Sequence, residues 1–105
     1  MKSDDLCYMP AAEMAGAIRE KRLSPVDAVE AVLSRIEQLN PRFNAYCTVT
    51  ANAARAAARD AEAAVMRGSA LGILHGVPVS IKDLVMTKET RTTWGSKMFE
   101  HFVPE

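Results

Sequence analysis

Residues 51–67 hold nine alanines. No residue favours helix more than alanine, so this run commits the middle of the chain to helix. Ala54, Ala58, Ala61 and Val65 recur at helical spacing and mark a packed side. Arg55, Arg59 and Glu62 mark the wet side. Gly68 is a good stop signal. On one flank, Ala45–Thr50 (AYCTVT) is rich in β-branched and aromatic residues and predicts a short strand. On the other, Val77–Ile81 predicts a second strand, with Pro78 at its start. Strand, helix, strand suggests a βαβ unit with a parallel pair, and leaves an antiparallel arrangement open.

Upstream, Met14, Ala17 and Ile18 share one face of a short helix expected around residues 10–21. Ser24-Pro25-Val26-Asp27 is a strong helix start. Ser24 can cap free N–H groups, Pro25 sits where no N–H is needed, and Asp27 can close a capping box. Val26, Val29, Val32, Leu33 and Ile36 then form one apolar stripe. The helix should stop near Asn40-Pro41, because a residue before proline avoids the helical region. Residues from Thr87 to Glu105 read as irregular connection with turn signals.

The fold class is therefore α/β: N-terminal helices plus the first strands of a sheet, incomplete on its own. At 105 residues the chain suits at most one domain, and no linker divides it. Two short strands make a marginal sheet, and the apolar faces want more partners than the chain supplies. The expectation is that residues 1–105 are the N-terminal part of a single larger domain, through truncation or splitting.

Charge narrows the function. Thirteen Lys+Arg balance thirteen Asp+Glu, without the basic surplus that meets phosphates, so direct nucleic-acid binding is not expected. No apolar stretch is long enough to span a bilayer. The N-terminus, MKSDDLCYMP, has acids where a signal peptide needs basic then apolar residues, which points to the cytoplasm. Cys7 and Cys47 are too few for a disulfide framework.

Few residues offer chemistry by spacing alone. Lys82 ends the second predicted strand, where a solvated lysine is the ordinary case; the carboxyl edge of an α/β sheet is also where ligands bind. Ser80 and Lys82 would share a strand face, but a nucleophile–base pair needs an orienting group that this chain does not supply. Cys47 reads as a buried, inert thiol rather than a partner of His75. Cys7, Cys47, His75 and His101 lack zinc-ligand spacing, and no metal or cofactor is expected. Gly72, Gly76 and Gly95 read as turns, and Trp94 and Phe99 as packing residues.

The stretch Gly72–Asp83, GILHGVPVSIKD, closely resembles the pattern G-x-L-H-G-[IV]-P-[VI]-x-[IVL]-K-[DE] of the amidase signature family. The flanks fit in order: Ser24-Pro25-Val26-Asp27, then Ile36-Glu37-Gln38-Leu39-Asn40-Pro41 and Asn44-Ala45-Tyr46, and downstream Arg91-Thr92-Thr93-Trp94-Gly95-Ser96, which is similar to the family's T-T-x-G-S segment. The resemblance covers the chain from about residue 10 onward. It implies helices packed around a large mixed sheet, and amide hydrolysis by a Ser–cis-Ser–Lys triad whose lysine falls on Lys82.

The same resemblance places both serines in a glycine/serine-rich segment downstream, and no such run is present here. Ser80 takes a position where members commonly carry a small residue such as alanine, and is not promoted to nucleophile. Glu89 stands where many members have glycine, which bears on a turn in the 86–93 loop.

Three functions follow as expectations. The first is a hydrolase of small-molecule amides, with the amide substrate and the rest of the domain as partners and homo-oligomerisation left open. The second is the glutamine-amidase subunit of a tRNA-dependent amidotransferase. The third is a non-catalytic remnant or interaction module with an exposed sheet edge.

Overall fold

The helices of the N-terminal two-thirds end on backbone hydrogen bonds, and among the described residues one of them, opened by Ser24, has a side-chain N-cap. The computed structural model describes residues 2–105, with helices α1 (Ser3–Tyr8), α2 (Ala11–Arg19), α3 (Pro25–Phe43) and α4 (Ala51–Met66). α1 carries Asp4 and Asp5 in its first turn, which suits the helix dipole. α2 follows Pro10 and gives way to Lys21 in the left-handed region, φ 62°.

α3 starts as its sequence requires. Ser24 Oγ accepts the Val26 N–H at 3.1 Å, with Pro25 in the first turn. The same hydroxyl donates to Glu62 Oε1 at 2.6 Å, which ties the start of α3 to α4. Asp27 is exposed and makes no reciprocal capping bond among the described residues. The helix does not stop at Pro41 but runs to Phe43. A proline this close to the end disturbs only the last turn. Asn44, at φ 51°, supplies a left-handed cap whose N–H reaches the Asn40 carbonyl at 2.7 Å.

The core lies among the four helices. Leu6, Met14, Ala17, Ile18, Leu23, Ala28, Ala31 and Val65 are buried together, with Val77 packed against them. Pro25, Ala28 and Ala31 are the most deeply buried residues of α3, while Val26, Val32, Leu33 and Ile36 are only half covered. On α4, Ala58 and Val65 are buried as their spacing suggests. Arg55, read as a wet-side residue, is recruited by α3: it pairs with Glu30 at 2.6 and 3.2 Å. That hydrogen bond holds the Glu30 carboxyl below its ordinary value. Gly68, at φ 72°, terminates α4; its N–H and that of Ser69 return to the Val65 and Ala64 carbonyls.

The two predicted strands do not form, and with them goes the βαβ unit. Residues 45–50 and 77–81 carry no ladder among the described residues, where the one β-bridge joins Thr87 to Thr90. β-branched composition favours a strand only when a neighbour accepts its hydrogen bonds. None is available to either run. Residues 45–50 are instead fixed by a side chain: Asn40 accepts the Tyr46 N–H at 2.8 Å and donates to the Tyr46 carbonyl at 3.1 Å. The sheet part of the expected α/β class is therefore not formed among the described residues, which are mostly helical.

The remainder, Asp83–Pro104, folds back on itself through Thr92 N–H to Phe102 carbonyl (2.9 Å) and Glu89 N–H to Pro104 carbonyl (2.8 Å). A short 3₁₀ turn, Lys97–Phe99, is capped by Ser96. Trp94 meets Phe99 edge-on at 4.6 Å and Phe102 at 5.3 Å, so these aromatics pack as expected. The radius of gyration is 15.0 Å, against about 13 Å for a closed domain of this length. Much apolar surface accordingly stays open: Ile73 is 84% exposed and Val79 83% exposed. No helix among the described residues is long and apolar enough to cross a membrane.

Candidate active-site segment

The motif Gly72–Asp83 is anchored at its front and free in its middle. Arg19 donates to the Ile73 carbonyl at 3.3 Å. His75 Nε2 lies 2.9 Å from the Ala61 carbonyl and so donates to it, which binds the motif to α4. Gly76 sits at φ 81° against Pro25 and Ile18. An added Cβ would meet Pro25 Cγ at 3.0 Å and two Ile18 carbons at 3.2 Å. Only glycine combines that dihedral with that approach. Val77 then packs on the core. From Pro78 to Lys82 no hydrogen bond reaches another segment among the described residues.

Lys82 is exposed at the end of this free span and takes part in no ion pair among the described residues. Immediately after it the chain is held again. Asp83 Oδ1 accepts the Thr93 N–H at 2.8 Å, and Oδ2 accepts the Thr93 hydroxyl. The Asp83 carbonyl accepts the Trp94 N–H at 3.1 Å, and the Leu84 carbonyl accepts the Trp94 indole N–H at 3.1 Å. Thr92 and Thr93 are buried. The Thr93 hydroxyl, then its backbone N–H, hold the Asp83 carboxyl below its ordinary value, with Cys47 and Arg91 adding less. Trp94 and Gly95 are both left-handed, at φ 52° and 71°, so the T-T-W-G-S segment turns sharply around the carboxylate.

Among the residues singled out by sequence, Lys82 and Ser80 are both exposed and no hydrogen bond joins them. His75 is occupied by α4 rather than by Cys47. Cys47 is not a buried thiol: it is exposed, because the strand that would have buried it is missing. No group of three or more His, Cys, Asp or Glu is placed to hold a metal among the described residues. The sequence reading missed Asp83, Thr93 and Arg91. The signal for the first two was present, since K-D and T-T-x-G-S both belong to recognised segments; their contact was not. Arg91 donates to the Cys47 carbonyl, Thr48 Oγ1 and the Glu100 carbonyl, joining three stretches no local pattern connects.

An anchored glycine turn leading to an exposed lysine, followed by an aspartate locked to a threonine turn, is carried here by the whole run from Gly72 to Ser96. Residues 27–105 match the family model described as Amidase, and the chain belongs to that family. It is 38% identical over 104 residues to a Mycobacterium tuberculosis protein named as an amidase, AmiD, covering 99% of this chain and 22% of that one. It is 46% identical over 99 residues to a glutamyl-tRNA(Gln) amidotransferase subunit of Granulibacter bethesdensis, covering 94% of this chain and 20% of that one. To the corresponding subunit of Geobacter metallireducens it is 44% identical over 92 residues, or 88% of this chain and 19% of the other. The chain thus spans about a fifth of the length of these relatives. No solved structure matches it significantly.

Proposed function

We propose that this chain is the N-terminal part of an amidohydrolase acting on small-molecule carboxamides, and that it contributes Lys82, the base of a Ser–cis-Ser–Lys triad. The observation carrying the proposal is the family match over residues 27–105, with Lys82 at the lysine position of its GILHGVPVSIKD segment.

The chemistry accounts for each part. A serine oxygen attacks the amide carbonyl, and its proton passes through a bridging serine to the neutral amine of Lys82. Backbone N–H groups hold the oxyanion. The proton returns to the departing nitrogen as the C–N bond breaks, and water then hydrolyses the acyl-enzyme. Lysine is ordinarily protonated near neutral pH, so the role calls for a dry, enclosed setting that favours the neutral amine. The exposure of Lys82 here is consistent with that enclosure coming from the rest of the domain, together with both serines. The exposed apolar residues Val79, Ile81 and Val85 around it fit the same covering. A cytoplasmic setting belongs to the proposal and rests on the two unpaired cysteines.

The test is kcat/KM in the full-length protein for wild type, Lys82→Ala and Lys82→Arg across pH. Both substitutions should lower kcat by orders of magnitude and leave the fold intact. Arginine keeps the charge but cannot surrender its proton. Wild-type activity should fall on the acid side as the amine becomes protonated. Arginine restoring activity to within a few-fold of wild type would make Lys82 a charge or scaffold and end the triad assignment.

A second reading has its own support. The two amidotransferase subunits are 44% and 46% identical to this chain, so the same lysine could serve glutamine hydrolysis within a multi-subunit complex. Ammonia release from glutamine that depends on added partner subunits would favour it over the free hydrolase.

A further inference from the structure

We infer that Asp83 is a positioning residue for Lys82: by gripping Thr93 through both its backbone N–H and its hydroxyl, the carboxylate fixes where the lysine side chain leaves the chain. The inference rests on the proposed role of Lys82 and adds the group that aims it.

Three observations carry it. Upstream of Lys82, the last tie to the helices is at Val77, and Pro78–Lys82 makes no hydrogen bond among the described residues beyond the local turn in which the Lys82 carbonyl accepts the Val85 N–H at 3.0 Å. Downstream, the first tie is one residue away, with Asp83 holding Thr93 at 2.8 Å to nitrogen and at the hydroxyl. The anchor itself is firm. Thr93 is buried, its Oγ1 accepts the Gly95 N–H at 3.2 Å, and Thr92 N–H binds the Phe102 carbonyl at 2.9 Å. Two acceptor atoms on two donors fix rotation as well as distance, which a single bond does not. The Asp83 carbonyl and the Leu84 carbonyl then take both N–H groups of Trp94, so the clamp continues along the backbone. A base must meet its proton within hydrogen-bond reach, and a lysine on an unheld span would not.

The test uses the full-length protein and ammonia release from a panel of simple primary amides. The variants are Asp83→Ala, Thr93→Ser, Thr93→Val, the double Asp83→Ala/Thr93→Val, and Lys82→Ala, each checked for folding by circular dichroism and melting. Asp83→Ala should lower kcat by about 10²-fold, the cost of misplacing a reacting group by an ångström, with little change in KM. Thr93→Ser keeps both donors and should stay near wild type. Thr93→Val loses the hydroxyl and should lose about tenfold. The double variant should be no worse than Asp83→Ala, because one linkage is removed once.

An Asp83→Ala kcat within about twofold of wild type, beside an inactive Lys82→Ala, overturns the inference and leaves the function standing. A loss confined to KM overturns it too. An active Lys82→Ala refutes the function itself, and the inference falls with it. If Asp83→Ala fails to fold, the threonine pair decides: equal kcat for Thr93→Ser and Thr93→Val overturns the inference, and a lower value for valine alone supports it.

Discussion

Gly76→Ala tests the docking of the motif on the helices, and its cost can be worked from the geometry. Two penalties coincide at this position. The dihedral, φ 81°, lies in the left-handed region, where a Cβ costs about 1–2 kcal/mol. The new carbon would also sit 3.0 Å from Pro25 Cγ and 3.2 Å from two carbons of Ile18. Both partners are buried at the centre of the core and cannot simply swing away. Overpacking of that kind costs about 1–3 kcal/mol, so the sum is about 2–5 kcal/mol. Two other glycines separate the terms. Gly95 shares the dihedral, φ 71°, but has nothing within 4 Å, so Gly95→Ala should cost about 1–2 kcal/mol. Gly72 has neither feature, and Gly72→Ala should be neutral or gain a few tenths of a kcal/mol. Urea unfolding followed by circular dichroism, on the four chains side by side, reads the order directly. Equal midpoints for Gly76→Ala and Gly95→Ala would refute the close approach to Pro25 and Ile18.

The 105-residue chain alone should release no ammonia from simple amides above buffer, since it carries one triad member in the proposed scheme; turnover abolished by Lys82→Ala would show that it holds its own nucleophile. It should also bind hydrophobic dyes or associate, because Ile73, Val79, Ile81 and Met86 are exposed; a sharp monomeric melt without dye binding would contradict this. Asp83 has a lowered carboxyl value relative to its ordinary 3.8, so its hold on Thr93 is complete above that value and is lost as pH falls below it through the folded one. Protection of the Thr93 amide, taken relative to its intrinsic exchange rate at each pH, should fall in that window in wild type and already be low in Asp83→Ala. Glu89 lies at φ 62° beside the Thr87–Thr90 bridge, and Glu89→Gly should stabilise the chain by about 1 kcal/mol, measured in the same urea series.

Three of the four helices were legible because their signals are local; α1, Ser3–Tyr8, was not anticipated. Nine alanines, the Ser24-Pro25 start and the Gly68 stop each act through residues a turn away, and the structure obeys them. Pro41 misled because its cost, one backbone hydrogen bond to the preceding turn, falls at the very end of a helix that the Asn44 cap closes two residues later. The strands failed for a different reason. AYCTVT and VPVSI have the composition of paired strands, but pairing depends on neighbours at long range, and among the described residues none takes up either run. The site was half legible. The motif singles out Lys82 for its proposed role, whereas the Asp83–Thr93 clamp spans ten residues and a turn whose left-handed residues include a tryptophan. Nothing in the propensity of Trp94 announces that turn. Glu89 is the converse: the resemblance marked it only as a departure in a turn, and the structure adds that the glutamate is left-handed, φ 62°.

The bare run between Gly76 and Lys82 has a consequence for a chain leaving the ribosome. The helices tie to one another from within their own stretch, as Cys7 to Ala31 and Ser24 to Glu62 show, and can close before the run emerges. Pro78–Ile81 has no such partner among the described residues: it is uncharged and unpaired, with Val79 and Ile81 exposed, and such a run can recruit identical segments from other chains. Its two edges read as safeguards against that outcome. Pro78 withholds one backbone donor, and Lys82 sets a charge at the far end, so neither side offers a clean template for a growing aggregate. Lys82→Ala would therefore remove a gatekeeper along with an amine, and a drop in soluble yield should accompany any change in catalysis.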